Sequence, residues 1–354
     1  MVLPEFRPEI AAVAARQHGV VLRRQVLAAG YTPVEVRRLV GSGEWLTIRR
    51  GAYTRSDTWM RGGEHVQWWL RDVAAHLTMT TAHALSHDSA ARALGLPMLH
   101  PRVWLSHVTR AGVLGCRTEY GVRHHLGRQP PLVLDLDGIP VTGLARTGLD
   151  MAREHGFKAG VVVLDECMRR GAPEREFVRE LALMRSWPGV QTARAAYAFA
   201  DRRAESPGES LLRILVAEMG VGDVEPQFAV ALSGRVVWAD LRVGCHLFEF
   251  DGRSKYTPLS EGGFAQASPT EVVWAEKLRE RELGDIGLGM SRVVWDDLMG
   301  PSAWLATQRR LHADYRATVQ RLGRSLPPHL AEFAHRNPRP IPDSRGAVAT
   351  FSAF

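Results

Sequence analysis

The chain is short of lysine and cysteine. Of its 45 basic residues only Lys158, Lys255 and Lys277 are lysines, and the other 42 are arginines. A GC-rich genome, which favours arginine codons, is sufficient to explain this bias, but its consequence is physical, since arginine stays charged and binds phosphate through a bidentate fork. The three cysteines are widely separated, odd in number and without CxxC spacing, which argues against a disulfide framework and against a cysteine zinc site. They indicate a protein of the reducing cytoplasm.

Long apolar runs are also missing. No segment approaches the roughly 20 consecutive apolar residues of a membrane-spanning helix, and the amino terminus lacks the basic head and apolar stretch of a signal peptide. With 45% hydrophobic and 23% charged residues, the composition is typical of a globular chain. At roughly 100–200 residues per domain, the 354 residues predict two or three domains. We therefore expect a cytoplasmic, multidomain protein with no membrane partner.

The net charge of +7 is divided unevenly along the chain. Residues 1–204 carry +9, residues 205–300 carry −7 and residues 301–354 carry +5. The basic flanks suit binding to phosphates, whereas the acidic segment would repel DNA unless a metal ion occupied it. A nucleic acid is therefore the expected partner.

The first 55 residues predict three short helices followed by a hairpin. Thr32-Pro-Val-Glu35 is a capping box with proline at the first helical position, so the third helix begins there and stops at Gly41. The alternating run from Trp45 to Tyr53 predicts a strand at the wing of a winged helix-turn-helix. The predicted DNA-binding residues are Arg37, Arg38, Arg49 and Arg50. A small helical domain with solvated arginines is the alternative.

Residues 76–204 predict a mixed region of strands and helices without catalytic chemistry. His83 and His87, four residues apart, would share a helix face as metal ligands, but no third ligand is evident, so a packed or capping pair is favoured. The last 30 residues are rich in proline and predict an extended or disordered tail after a basic helix over 303–322.

The acidic segment predicts the element order α-β-β-β-α-β. A capping box at Ser206 opens the first helix, strands follow at 227–232, 235–243 and 246–251, and a helix around 270–283 precedes a strand at 291–295. If Gly244-Cys245 is a two-residue type II′ turn, residues whose numbers sum to 489 face each other, which puts Asp240 opposite Glu249. Alternation then places Asp240, Glu249 and Asp251 on one face and a set of apolar side chains on the other.

Directly opposed carboxylates destabilise a sheet, and a divalent cation between them would explain the pattern. We predict that Asp240, Glu249 and Asp251 bind Mg²⁺ (or Mn²⁺), which would lower the pKa of a bound water and stabilise charge on a cleaved phosphodiester. Glu209 would add a ligand, and Lys255 would orient the nucleophile or neutralise phosphate. The alternatives remain that Glu209 only caps its helix, that the three carboxylates form an exposed face balanced by basic residues, and that Lys255 is a solvated loop residue.

Five segments carry a resemblance in this region: Glu205–Arg213, Trp238–Leu241, Phe248–Tyr256, Glu276–Glu280 and Arg292–Leu298. In this order they resemble the PD-(D/E)XK nuclease superfamily, in the branch related to very-short-patch-repair endonucleases. The resemblance implies that Asp240 is the strand aspartate, Glu249 the (D/E)X position, and Glu209 or Glu205 the helix glutamate. Asp251 stands where the superfamily usually has lysine, and the pattern E-x-D-G-x-x-(H/K) of this branch implies that Lys255 replaces it.

The amino-terminal segments Gly19–Val21, Arg24–Gly30 and Gly43–Tyr53 are similar to the AbiEi-type antitoxin domain, a winged helix-turn-helix of type IV toxin-antitoxin systems. Weaker similarity continues through Leu85–Ala91, Leu94–Pro97 and Val141–Thr142. The resemblance implies DNA binding, autoregulation of an operon and a partner toxin.

The predicted protein is an α+β multidomain chain. Its segments are a winged helix-turn-helix at 1–75, an AbiEi-like α/β middle domain at 76–204, a PD-(D/E)XK restriction-endonuclease-like domain at 205–300, and a basic helix with a proline-rich tail at 301–354. The leading hypothesis is a DNA-binding protein that cuts or nicks duplex DNA with Mg²⁺. The rival is a non-enzymatic, antitoxin-like transcriptional regulator that uses the nuclease fold as a scaffold, and RNA is a third substrate class.

Overall fold

A computed structural model describes residues 6–99, 105–113, 115–127, 133–252 and 282–340. They form two compact units, one of residues up to 167 together with 172–198, the other of residues 168–171 together with 199 onward. Among the described helices, none is both long and apolar enough to cross a membrane. Lys255 and most of the helix predicted around 270–283 lie outside the described residues.

The first unit begins with a winged helix. Its elements are α1 (Pro8–Arg16), β1 (Val21–Leu22), α2 (Arg23–Ala28), α3 (Pro33–Gly41), β2 (Trp45–Arg49) and β3 (Ala52–Arg55), and the strands pair in the order β1-β3-β2. The predicted capping box is present, because the Glu35 N–H donates to Thr32 Oγ1 at 3.2 Å and the Thr32 N–H donates to Glu35 Oε2 at 2.6 Å. Strand β1, too short to show alternation, is an element that the sequence did not predict.

An aromatic core holds the winged helix together. The rings of Phe6 and Tyr31 lie 5.2 and 5.3 Å from the Trp45 ring, measured between centroids. Val36 and Leu39 of α3 are buried in the same cluster. Since residues three apart share a helix face, this packing turns the opposite face of α3 to solvent.

The rest of the first unit is a six-stranded mixed sheet with helices around it, in the strand order β6-β7-β5-β4-β9-β8. Its elements are α4 (Ser56–Arg61), α5 (Gly63–Thr78), β4 (Ala84–Leu85), α6 (His87–Ala93), β5 (Ser106–Arg110), β6 (Cys116–Glu119), β7 (Val122–Leu126), β8 (Val133–Leu136), β9 (Ile139–Thr142), α7 (Leu144–His155), α8 (Phe157–Arg169), α9 (Glu174–Leu183) and α10 (Val190–Phe199). Strand β5 runs parallel to β7 and antiparallel to β4. Helix α5 runs across the domain boundary that was predicted between residues 75 and 76. Its buried Asp72 binds Arg92 of α6 at 3.0 Å.

The second unit is built on a four-stranded sheet. Its elements are α11 (Pro207–Glu218), β10 (Glu225–Leu232), β11 (Arg235–Val243), β12 (His246–Asp251), β13 (Gly289–Val294), α12 (Trp295–Leu298), α13 (Pro301–Leu322) and α14 (Pro328–Arg336). The strands lie in chain order, with β10, β11 and β12 antiparallel and β13 parallel to β12. This agrees with the predicted order of helix and strands in the described part of the segment.

The hairpin of β11 and β12 has the predicted register. Leu241 pairs with Phe248 and Val243 with His246, so that paired numbers sum to 489. Gly244 has a φ of +57°, which the first central position of a type II′ turn requires. The face that carries the carboxylates is not an open one, however. Leu247, which shares that face, is fully buried, so apolar packing covers both sides of the hairpin.

Helix α14 corrects the prediction of an extended tail. Pro328 stands in the first turn of this helix, where its fixed φ is compatible with helical backbone and its missing N–H costs nothing. Leu330 packs with Phe228 and Leu247 in the core of the second unit. The proline-rich composition therefore marks a helix start in this part of the tail.

Candidate nucleic-acid interface and carboxylate cluster

Two of the predicted DNA-binding residues lie on the exposed face of α3. Arg37 and Arg38 are exposed, whereas Val36 and Leu39 on either side of them are buried. Glu44 Oε1 lies 3.5 Å from Arg38 Nη1, and the Arg38 side chain is still 65% exposed. Both guanidinium groups are therefore accessible to phosphates and to base edges.

The wing separates the other two predicted DNA-binding residues. Arg50 is exposed in the turn between β2 and β3. Arg49 is half-buried and lines a cavity of about 250 Å³ together with Asp72 and Arg92. Burial lowers the pKa of the Arg49 guanidinium from its usual range. Arg50 is thus the more exposed of the two arginines, and Arg49 is partly covered beside the cavity.

Glu209 lies in the first turn of α11, whose N-cap is Ser206, and both of its carboxylate oxygens are engaged. The Ser206 hydroxyl donates to Oε1 at 2.9 Å, and the Glu205 N–H and Gln227 Nε2 donate to Oε2 at 2.9 and 3.0 Å. Burial, with the nearby charge of Glu205 adding to it, raises the pKa of the Glu209 carboxyl. The Ser206 hydroxyl, which also accepts from the Glu209 N–H at 3.2 Å, caps the helix, and the Glu209 carboxylate is held beside it.

Asp240 and Glu249 lie next to the Leu241–Phe248 pair, at the end of the β11–β12 ladder away from the turn. Each carboxylate has a different partner in the protein. Asp240 Oδ2 accepts a hydrogen bond from the Phe250 N–H at 2.7 Å. Glu249 stands beside Arg292 of β13, whose Nε is 3.8 Å from Glu249 Oε2. Asp251 is buried at the end of β12. The partly buried carboxylates thus interact with backbone and arginine donors.

The three predicted metal ligands do not converge on one point in the described structure. Oxygen donors suit Mg²⁺ in kind. Among the described residues, however, the one group of three histidine, cysteine or acidic side chains whose ligand atoms all lie within 4.8 Å is His87, His107 and His125. A cation bound by Asp240, Glu249 and Asp251 would require these carboxylates to leave their present positions.

This histidine cluster is the site that the sequence did not predict. His87 begins α6, His107 lies on β5 and His125 on β7, and the positions match no ligand motif. The suggested pair of His83 and His87 on one helix is wrong, because His83 precedes β4 and its Nε2 lies 3.0 Å from His76 Nδ1. Only the parallel pairing of β5 with β7 and the approach of α6 bring the cluster together.

Comparison with known proteins bears on the amino-terminal part. Residues 8–56 match the family model described as "Transcriptional regulator, AbiEi antitoxin", which confirms the resemblance for the winged helix. The match includes none of the acidic segment.

Two curated relatives come from Mycobacterium tuberculosis, the uncharacterized protein MT2308 of strain CDC 1551 and the uncharacterized protein Rv2248 of strain H37Rv. Each is 27% identical over 180 residues, which covers 51% of this chain and 64% of the relative. The chain thus spans slightly less than two thirds of the length of these relatives. The crystal structure of the RV2827C protein from M. tuberculosis aligns with a TM-score of 0.35 and 15% identity, over 58% of this chain and 79% of that one.

Proposed function

We propose that this chain is a transcriptional regulator that binds duplex DNA through its winged helix. The observation that carries the proposal is the orientation of α3, which buries Val36 and Leu39 and leaves Arg37 and Arg38 exposed. The family match over residues 8–56 includes this helix and the wing, and supports a regulatory role.

In the proposed complex, α3 enters the major groove, which is wide enough for an α-helix. Arg37 and Arg38 reach base edges or phosphates from its exposed face, and Arg50 binds the backbone from the wing. The phosphate contacts make the affinity strongly dependent on salt, because each one releases condensed counterions.

We further propose promoter DNA of the chain's own operon as the target and a toxin as a second partner. The description of the matched family, an antitoxin regulator, supports both. Neither role requires the second unit to cleave DNA, so the rival of the leading sequence hypothesis becomes the preferred function.

A binding assay with matched variants tests this function. Fluorescence anisotropy would measure the affinity of the full chain for a labelled duplex from upstream of its gene. The double variant Arg37→Ala/Arg38→Ala should weaken binding at least about tenfold, since a base contact contributes roughly 1–3 kcal/mol. The control is Arg175→Ala/Arg179→Ala, which removes the same charge from exposed positions of α9. Equal losses in both variants, or no binding by the wild type, would contradict the proposal.

We propose metal-dependent phosphodiester hydrolysis by the second unit as a second candidate. The observation that favours it is the register of β11 and β12, which makes Asp240 and Glu249 adjacent at the end of one ladder. The PD-(D/E)XK resemblance assigns the strand aspartate to Asp240, the (D/E)X position to Glu249 and the helix glutamate to Glu209 or Glu205. When bound, Mg²⁺ or Mn²⁺ would activate water and stabilise the charge of the cleaved phosphodiester.

A cleavage panel tests this candidate. Supercoiled plasmid, single-stranded DNA, mismatched duplex and RNA would be incubated with the full chain and Mg²⁺ or Mn²⁺. Cleavage should require Glu249 and should survive Glu225→Gln, which changes a carboxylate of β10 that binds Arg242. The candidate fails if the wild type cleaves none of these substrates, or if Glu249→Gln cleaves as well as the wild type.

A further inference from the structure

Three buried histidines of the first unit bring their ring nitrogens together. His107 Nδ1 lies 3.1 Å from His125 Nε2, and one nitrogen of His87 lies within 4.8 Å of a nitrogen of each of them. The His107 and His125 ring centroids are 5.2 Å apart. Two imidazoles bound to one tetrahedral Zn²⁺ at about 2.0–2.1 Å have roughly this spacing.

The ring nitrogens of His107 have different surroundings. The 3.1 Å contact between His107 and His125 needs one nitrogen with a proton and one without. His107 Nε2 is buried without a hydrogen-bond partner, and the Asp88 Oδ2 atom, at 3.9 Å, is beyond hydrogen-bonding distance. Either neutral tautomer of His107 therefore leaves Nε2 without a hydrogen bond, on the side of the ring away from the contact with His125.

Each ring also has a polar neighbour at a nitrogen that is not used in the 3.1 Å contact. His87 Nδ1 lies 3.0 Å from Ser86 Oγ and His125 Nδ1 lies 3.8 Å from Cys116 Sγ, both within hydrogen-bonding distance, whereas Asp88 Oδ2, 3.9 Å from His107 Nε2, is not. Metal-binding histidines commonly direct their second nitrogen to such a group, which orients the ring. The surroundings of the cluster therefore resemble the outer shell of a metal site.

The charges around the cluster are compatible with a cation. Burial lowers the pKa of His107 to about 3 and that of His125 to about 4, so both rings are neutral at neutral pH, as metal ligands must be. The nearby Arg146 and Arg153 are each bound to Asp150, at 2.6 Å. Arg146 also binds Glu180 at 3.2 Å, so two carboxylates offset these two guanidinium charges.

We propose that His87, His107 and His125 bind one transition-metal ion of the zinc type. Imidazole nitrogens favour Zn²⁺ and its neighbours Ni²⁺ and Cu²⁺ over Mg²⁺, so this site takes a different class of ion from the carboxylate cluster. The ion replaces the proton between His107 and His125, and that proton moves to the second nitrogen of its own ring. The stacked rings of His87 and His125, with centroids 3.6 Å apart, then spread to the wider spacing of the other pair.

The route to the site is a cavity of about 530 Å³, which His87 and His125 line together with Cys116 and Trp187. Three protein ligands leave the fourth position of a tetrahedral ion open toward this cavity. A water molecule or a small ligand occupies that position.

Zinc titration of the full chain tests the proposal. After treatment with a chelator, the wild type should take up one Zn²⁺ per chain in competition with a chromophoric chelator. Loss of an outer-shell partner typically weakens binding 10- to 100-fold, so Ser86→Ala, which removes the partner of His87 Nδ1, should fall in about that range and His107→Gln should weaken binding further. The matched control is His83→Gln, which removes one ring of the second close histidine pair, His76 and His83, and should leave the affinity unchanged.

The proposal is overturned if the wild type takes up no stoichiometric Zn²⁺, or if His107→Gln binds as tightly as His83→Gln. If His107→Gln does not fold, the visible spectrum of the wild type loaded with Co²⁺ tests the proposal instead. Intense bands of a tetrahedral nitrogen site support the proposal, and the weak bands of an octahedral site overturn it. These assays contain no DNA, so their outcome is separate from that of the DNA-binding proposal.

Discussion

The Asp240 carboxylate accepts a hydrogen bond from the Phe250 N–H at 2.7 Å. In the register of the hairpin Asp240 faces Glu249, so the donor is the residue after its cross-strand neighbour. A side chain thus continues the ladder where backbone pairing ends. This bond gives Asp240 a structural role that is independent of metal binding.

Replacement of Asp240 should therefore destabilise the second unit. Hydrogen bonds to charged groups contribute roughly 1.5–3 kcal/mol, so Asp240→Ala should lower the free energy of unfolding by about 2 kcal/mol. Asp240→Asn keeps an acceptor oxygen and should lower the free energy of unfolding by less. Urea denaturation measures the free energy of unfolding, and hydrogen exchange of the segment 246–252 reports whether the Phe250 amide has lost its protection. Unchanged exchange in Asp240→Ala would show that the hydrogen bond is not formed in solution.

The two arginines of the wing should behave differently. Arg50→Ala should lower the slope of log affinity against log salt by about 1, as expected for the loss of one phosphate contact. Arg49→Ala should change the slope less, because Arg49 is half-buried at the cavity that Asp72 also lines. Titrations with duplex DNA at several salt concentrations measure both slopes. Equal changes for the two variants would argue that Arg49 turns outward on DNA.

Alanine at Gly208 should be destabilising, although alanine usually stabilises a helix by about 0.5–1 kcal/mol relative to glycine. A Cβ at Gly208 would overlap the ring of Phe250, which packs α11 on β12. Such overpacking typically costs about 1–3 kcal/mol.

The matched control is Gly41→Ala at the end of α3, where no described atom outside the adjacent helix comes within 4 Å of an added Cβ. That variant should be neutral or slightly stabilising. Thermal unfolding of both variants gives the sign of the change in stability. A Gly208→Ala protein that is more stable than the wild type would contradict the packing of the Phe250 ring against Gly208.

The stability of the second unit should fall as the pH drops from about 6.5 to 4. His246 is buried, with Nδ1 2.7 Å from Thr318 Oγ1 and Nε2 3.0 Å from Ser291 Oγ, and Asp314 lies beyond Ser291. Burial lowers the pKa of His246 to about 4, although the Asp314 charge opposes this. The unfolded chain, whose histidine pKa is near 6.5, therefore binds the proton first, and stability is lost as pH falls through this window.

The comparison of His246→Gln with the wild type isolates this effect. One proton changes the free energy of unfolding by up to about 1.4 kcal/mol per pH unit, and the variant should lack this contribution to the slope. Urea denaturation at pH 7 and pH 5 measures both slopes. Identical slopes would mean that His246 does not titrate differently in the two states.

Predictions that rested on neighbouring residues agree with the structure. The capping box at Thr32, the helix that begins after Ser206 and the register around Gly244 all depend on side chains and turns within a few positions. The contacts of the carboxylates were harder to predict, because their partners come from other elements. Gln227 of β10 binds Glu209, and Arg292 of β13 lies beside Glu249. The tail was misjudged because Pro328 begins a helix whose Leu330 depends on the core of the second unit.

The sequence by itself determined where helices start, how one hairpin turns and which surface of α3 carries arginines. These features depend on backbone preferences and helix periodicity, which act over a few residues. Only the tertiary structure decided that Arg49 is half-buried beside a cavity, that Asp240 and Glu249 have protein partners, and that His87, His107 and His125 meet. Strand pairing and burial join residues far apart in the chain, and no local pattern records which of them will come into contact.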